Sequence, residues 1–329
     1  AEYTRILSDE KNIIAIIRED MDGLRERYNV ARHTRIEDSA EDYTSLDLIT
    51  PENVVVTLSH EGYIKRTGLD AYRKQRRGGK GIKGTESKEG DFAEHLLVAN
   101  THDLLLCFTD RGKVYKEHVF LIPDMGRYAK GRAVVNFLNV SSEERLHSVL
   151  PVRDLDDSGS IIFATRKGVV KRTKLSDFQN IHRGGIIATS LKDGDALIGT
   201  RLVSEDDHVL LVTSKGMALR FKVSDVRAMG RSATGVRGVN LAKDDEVISM
   251  TIVDHVELTP ERRDDYLKNQ SALKREEIAE PDLQLLTPEE FAELQGHEQF
   301  LLTVTVNGFG KRTSAYEYRV TNRGGQGII

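Results

Sequence analysis

The 329-residue chain contains no tryptophan, one cysteine and six prolines, and aromatic residues make up only 6% of it. A single cysteine allows no intrachain disulfide, so the fold does not rest on covalent staples and suits a reducing compartment. Cys107 lies inside Leu104-Leu105-Leu106-Cys107-Phe108 and reads as a small core residue rather than a ligand or nucleophile. There is no apolar run of membrane-spanning length and no signal-peptide pattern, so no membrane is expected among the partners. None of the ten histidines stands at a metal-ligand spacing, and no Ser/His/Asp arrangement can be argued, so neither a metal nor a catalytic centre is expected in this stretch. The phosphate-binding Walker pattern is missing too, because Gly79…Gly84-Thr85 has no lysine at the required place. The chain starts at Ala1 and is expected to be a piece of a longer protein.

The formal net charge of −4 argues against a polyanionic partner until it is resolved along the chain. Residues 254–298 hold thirteen Asp/Glu against five Lys/Arg, a local balance of −8, so the remainder carries +4. Distribution is the better guide than the average. Residues 62–84 hold eight Lys/Arg against the one acid Asp70. Within them, Gln75-Arg76-Arg77-Gly78-Gly79-Lys80-Gly81 cannot be a helix or a packed strand, and Arg73, Lys74 and Lys83 flank it. Glycine exposes backbone N–H groups and lets a loop lie close to a partner, while the cations supply charge for a polyanion. Taken alone, such a stretch is as readily a solvated basic turn.

Residue 53 onward repeats. Val54–Arg66, Leu104–Lys116, Ile161–Arg172, Val209–Arg220 and Leu301–Arg312 each read as an apolar strand, a turn with glycine, and a second strand ending in Lys or Arg. Their turn glycines, Gly62, Gly112, Gly168, Gly216 and Gly308, are separated by 50, 56, 48 and 92 residues. A period near fifty is that of propeller blades, and the long last interval locates an insertion at 254–298. Gly78, Gly184 and Gly324 each lie sixteen residues after a turn glycine and follow Arg77, Arg183 and Arg323. Looser copies run from Gly126 to Arg132, with Arg127, Lys130 and Arg132, and from Gly230 to Arg237, with Arg231 and Arg237. Further strand is expected after each turn, at Val134-Val135 and Ile186-Ile187 for example.

The expected fold is therefore all-β, with blade repeats near 54–84, 104–140, 161–191, 209–241 and 301–329. Stacked blades put equivalent loops on one side. Lys65, Arg66, Lys116, Lys171, Arg172, Arg220, Lys311 and Arg312 at strand ends, with the glycine-turn arginines, are then expected to form a basic belt. For any one of these residues, blunting of a sheet edge is the simpler role.

Residues 1–30 place Ile6, Leu7, Ile13, Ile14, Ile17, Met21, Leu24 and Tyr28 at helical spacing, which predicts helix with one buried stripe and an N-cap near Ser8. Residues 31–52 turn acidic and end at Pro51 and Glu52, as a linker would. In the insertion, Pro288 after Thr287 predicts a helix start. That segment reads as a solvated lobe or as a charge-based modulator of whatever binds the belt.

The stretch Gln75–Gly81 resembles the so-called gyrase A box, and the text on either side agrees: Val54–His60, Leu97–Asp103, Val226–Gly230 and Thr234–Gly238. The chain is similar to the C-terminal domain of the DNA gyrase A subunit over nearly its whole length outside the insertion. The resemblance implies a six-bladed β-pinwheel, a propeller whose neighbouring blades exchange strands, although five repeats are visible here. It implies double-stranded DNA as partner, wrapped around a basic rim on the residues of the box and belt, with Arg73 and Lys83 beside them. It further implies the rest of the gyrase A subunit, together with the gyrase B subunit, in an A2B2 holoenzyme located in the cytoplasm with the nucleoid. ATP and Mg would belong to that holoenzyme and no cofactor to this stretch. The corresponding domain of topoisomerase IV and a propeller scaffold for acidic proteins are the alternatives, the first disfavoured by an intact box.

Overall fold

The computed structural model describes residues 2–30, 34, 46–72, 90–141, 144–155 and 159–328. It divides into two compact units, Ala1–Leu48 and Ile49–Ile329. The first holds two helices, Glu2–Leu7 and Glu10–Tyr28, and the second of these is capped by Asp9, whose side chain accepts from the Lys11 N–H. The cap falls one residue after the expected Ser8. No residue of either helix is buried, so the stripe of Ile13, Ile14, Ile17, Met21 and Leu24 is present but uncovered, against expectation.

The second unit begins before the first strand. Thr101 Oγ1 donates to the Thr50 carbonyl, and His102 Nε2 lies 2.7 Å from the Ile49 carbonyl oxygen. The last residues of the expected linker, 49–52, thus belong to the β domain.

That domain is five antiparallel sheets in series. The first three-stranded blade is Asn53–Ser59, Tyr63–Gly68 and Ala93–Asn100. The second is Leu104–Thr109, Lys113–His118 and Leu146–Val152, and the third Ser160–Thr165, Val169–Lys174 and Leu197–Val203. The fourth is His208–Thr213, Ala218–Lys222 and Val247–Val253. The fifth has two strands, Phe300–Val304 and Gly310–Ser314. Six blades would follow from the resemblance; four full blades and a two-stranded fifth are what the described residues form. All five turn glycines are left-handed, from Gly168 at φ 77° to Gly62 at φ 83°.

Blades trade strands. Arg132–Ala133 of the second repeat pairs with Tyr63 and Ile64 of the first blade. Ile186–Ile187 pairs with Lys113 and Val114, Val236–Arg237 with Val169 and Val170, and Ile328 bridges Ala218. Each donated strand follows a left-handed glycine pressed on its host: a Cβ at Gly235 would lie 2.5 Å from the Val170 carbonyl oxygen. The donated strand in the second repeat is 132–133, while Val134–Asn136 is a 3-10 turn, which corrects the expected strand at Val134-Val135.

The first strands of the second and third blades are apolar on both faces because those blades are covered on both sides. Leu105 and Cys107 pack into the core shared with the first blade, while Leu106 and Phe108 face the third. Ile161 and Phe163 likewise face back, and Ile162 and Ala164 forward. This is the two-residue strand period read into two cores. Phe163, 1% exposed, stacks edge-on with Phe108. Phe163→Ala is expected to cost about 3–5 kcal/mol of unfolding free energy, measurable by denaturant titration.

The third strands of successive blades touch one another, and Ser148 and Thr200 hydrogen-bond between two of them at 2.8 Å. They occupy the edge of each sheet opposite the donated strand. Sheets that meet at one edge splay at the other, so the donated strands and their basic turns lie along the outer edge.

The insertion is a small lobe of two helices, Pro260–Lys274 and Pro288–Gly296. Thr287 and Glu290 form a reciprocal capping box at the second, as the Thr-Pro sequence suggests. Tyr266, Leu286, Phe291 and Leu294 make a core of their own that closes on Tyr316 of the fifth repeat. Asp265 fastens the connecting segment by accepting the N–H groups of Gln284, Leu285 and Leu286. The lobe is thus packed onto the fifth blade and not merely solvated.

Candidate nucleic-acid interface

The expected belt separates into two groups with different surroundings. Arg132, Arg183, Arg237, Lys311 and Arg312 are exposed, and Lys116, Arg127, Lys130, Arg231 and Arg323 are half-buried. Arg127, Lys130, Arg132, Arg183, Arg231, Arg237 and Arg323 belong to donated strands or the turns before them, whereas Lys116, Lys311 and Arg312 lie on the second strands of their blades. Lys130 Nζ sits 4.1 Å from the centre of the Tyr63 ring, and Arg127 packs over Tyr128 at 4.7 Å. Arg323 donates to the carbonyls of Asp225 and Arg237, and Lys116 to that of Gln179, so both are held at a junction with the neighbouring repeat. Arg312 lies over Phe300 at 3.7 Å. Arg73, Gln75–Gly81 and Lys83 fall outside the described residues.

Four members of the expected belt are corrected. Lys65 and Lys171 are 1% exposed, Arg220 5% and Arg172 7%, too little to meet a phosphate. The donors of Lys65, Lys171 and Arg220 are met by acceptors inside. Lys65 Nζ donates to the carbonyls of Arg127 and Ala129 at 2.5 and 2.8 Å. Lys171 Nζ donates to those of Ala188 and Arg231. Arg172 pairs with Glu205 at 2.7 Å. The Arg220 guanidinium reaches the carbonyls of Ala315 and Asp254 and donates to His208 Nδ1 at 3.1 Å. Arg66, half-buried, donates to the Ile122 carbonyl at 2.8 Å. These strand-end cations fasten one repeat to the next.

Two exposed arginines escape the sequence pattern. Arg227 and Arg319 lie eleven residues after Gly216 and Gly308, as Arg73 does after Gly62. That shared offset is the signal that could have found them.

Below Arg220, His208 is 1% exposed and its Nε2 lies 3.1 Å from His255 Nδ1. Burial first, then the charges of Arg220, His255 and Lys222, holds His208 down at about 4 against an ordinary 6.5. The folded state keeps this imidazole neutral while the unfolded chain protonates it, so stability is full above pH 6.5 and is lost as pH falls toward 4. The loss is expected to be at most about 3 kcal/mol. Melting temperature measured from pH 7 to 4.5 checks it: the wild-type chain should fall more steeply than His208→Gln.

Cys107 is buried and its thiol is pushed up to about 12. Among the described residues, no group of three or more His, Cys, Asp or Glu could hold a metal, and no helix is long and apolar enough to cross a membrane. What the site offers is a row of cations on repeated outer-edge turns.

A propeller whose blades trade strands and carry basic glycine turns along their outer edge defines a β-pinwheel. The chain belongs to the family described as DNA gyrase C-terminal domain, beta-propeller, whose sequence profile matches residues 53–100, 103–153, 159–204, 207–254 and 299–329. It is 41% identical over 338 residues to the DNA gyrase A subunit of Rickettsia bellii, covering all of this chain and 37% of that protein. It is also 41% identical over 317 residues to the DNA gyrase A subunit of Salmonella typhimurium, covering 96% of this chain and 31% of that one. The chain thus spans about a third of these relatives. A solved DNA gyrase A C-terminal domain superposes with a TM-score of 0.64 at 26% identity, over 84% of this chain and 76% of its own. The C-terminal domain of a DNA topoisomerase IV does so with a TM-score of 0.58 at 25% identity, over 85% and 73%.

Proposed function

We propose that this chain binds double-stranded DNA along its outer edge, with little preference for sequence, and bends it around the blades. The observation that carries the reading is the recurrence of exposed or half-exposed cations in and beside the exchange turns of successive repeats, from Arg132 through Arg183 and Arg237 to Arg323. Cations spread over repeated loops suit phosphate contacts, and among the described residues no recognition helix stands beside them to read base edges. Within a gyrase A subunit, the chain would hand the bent segment to the remainder of that polypeptide and to the B subunit in an A2B2 assembly. ATP hydrolysis with Mg would occur elsewhere in that assembly, in the bacterial cytoplasm, and drive negative supercoiling. The acidic lobe would sit apart from the DNA, since its excess of carboxylates repels phosphate.

Salt tests the reading. Neutralising Z phosphates makes log K fall against log salt with a slope of about −0.9Z. With about six cations engaged, raising salt from 50 to 200 mM is expected to weaken binding by about 10³-fold. Fluorescence anisotropy with duplexes of unrelated sequence measures it. Affinity that is insensitive to salt, or that differs widely between duplexes, would contradict the proposal.

A further inference from the structure

Lys65 and Lys171 occupy equivalent places, three residues after the turn glycines Gly62 and Gly168. Each buries its ammonium beneath the basic turn of the following repeat. Lys65 Nζ gathers the carbonyls of Gly126, Arg127 and Ala129, at 3.3, 2.5 and 2.8 Å. Lys171 Nζ, over the Phe163 ring at 5.4 Å, takes the Arg231 carbonyl of the following turn and the Ala188 carbonyl of its own repeat. The same place in the second and fourth repeats is held by Tyr115 and Leu219, both buried. Those side chains pack against turn glycines instead: a Cβ at Gly185 would meet the Tyr115 ring at 2.8 Å, and one at Gly325 the Leu219 side chain at 3.5 Å. Two junctions are therefore built without an ammonium, and a lysine is not what makes a junction fold.

We propose that Lys65 and Lys171 are positioning residues for DNA binding, each holding the next basic turn inward by its backbone so that the turn presents its cations to phosphate. The inference rests on the DNA-binding reading above. A glycine-rich turn has many backbone states of similar energy, and a three-donor cation beneath it selects one in which successive carbonyls converge. The turn over Lys65 carries Arg127, Lys130 and Arg132, and the turn over Lys171 carries Arg231 and leads to Arg237. Neither lysine can touch DNA itself, because both are 1% exposed. Their effect on DNA must pass through the turns.

The test uses the full chain, a 30-bp duplex and anisotropy over a salt series, with Lys65→Met and Lys171→Met. Methionine keeps the buried stem and removes the donors. Both variants are expected to melt cooperatively. Removing one direct phosphate contact makes the salt slope shallower by about 0.9, whereas a released turn takes two or three cations with it and is expected to change the slope by about 2. Affinity at 50 mM salt should fall about tenfold or more. Leu219→Ala, which loosens a junction with no ammonium, should lower the melting temperature and leave the slope unchanged. A slope change of 0.9 or less in both lysine variants overturns the proposal, as does an equal change in Leu219→Ala. Should the methionine variants not fold, Lys65→Gln and Lys171→Gln are read the same way; failure of these to fold also overturns it, since the lysines would then be needed for the fold. Absence of salt-dependent binding by the unaltered chain overturns the DNA-binding reading itself, which is a distinct outcome.

Discussion

Replacing Gln75–Gly81 with alanines is expected to leave DNA affinity within about tenfold of wild type while abolishing the wrap. The replacement removes Arg76, Arg77 and Lys80 and three glycines, but leaves the cations from Lys116 to Arg323 in place. Binding and wrapping differ in what they require. Smooth bending of a 20–30 bp site by 40–90° costs on the order of 1–6 kcal/mol, which interactions around the whole path must offset. The stretch belongs to the first repeat and is the densest run of charge and glycine on the chain, so it is suited to fastening one end of the DNA path. A gyrase carrying the replacement should still relax or decatenate DNA and should no longer introduce negative supercoils. Normal supercoiling would make the stretch only one more basic turn.

The second large effect concerns the described part of the edge. Arg132→Glu, Arg183→Glu and Arg237→Glu together place a repulsive charge in three successive turns. All three side chains are exposed, so the blades should melt within a few degrees of wild type. Giving up three neutralised phosphates flattens the salt slope by about 2.7, and replacing attraction by repulsion should lower affinity at 50 mM salt by about 10³-fold or more. The same reversal at three exposed lobe positions, Glu261→Lys, Asp264→Lys and Glu289→Lys, should tighten binding slightly or leave it alone. Equal losses from both sets would show that overall charge, and not the edge, governs binding.

Much of the architecture is legible in the sequence because turn chemistry repeats. A glycine that must be left-handed, such as Gly168, marks each hairpin, and the sixteen-residue offset to Gly184 and Gly324 marks each exchange turn. The third strand of each blade is not legible. Ala93–Asn100 alternates poorly, with Glu94 and His95 beside Leu96, since one of its edges meets only a neighbouring third strand and its burial is partial. The helix Pro260–Lys274 escapes for a related reason. It is polar almost all round, and what it buries is Asp265, Tyr266 and Asn269, a set with no apolar stripe to detect.

Only part of the belt is legible in the same way. Lys65 and Lys171 look like solvent-facing strand ends in sequence, because the carbonyls that satisfy them lie about 60 residues further on, at Arg127 and Arg231. No local pattern announces a backbone partner. Arg220 is similar, tied to Ala315 at a separation of 95 residues. By contrast, Arg132, Arg183 and Arg237 sit in or beside glycine turns, and their exposure follows from the turn itself.

The central claim is that DNA is bent along the outer edge and not merely held there. The direct measurement is the linking-number distribution of a nicked plasmid religated with saturating chain bound. A shift in mean linking number that grows with the amount of bound chain, and that disappears with the Gln75–Gly81 replacement while binding persists, is the result expected. A distribution identical to that of plasmid religated without protein, at saturation confirmed by anisotropy, would contradict the account.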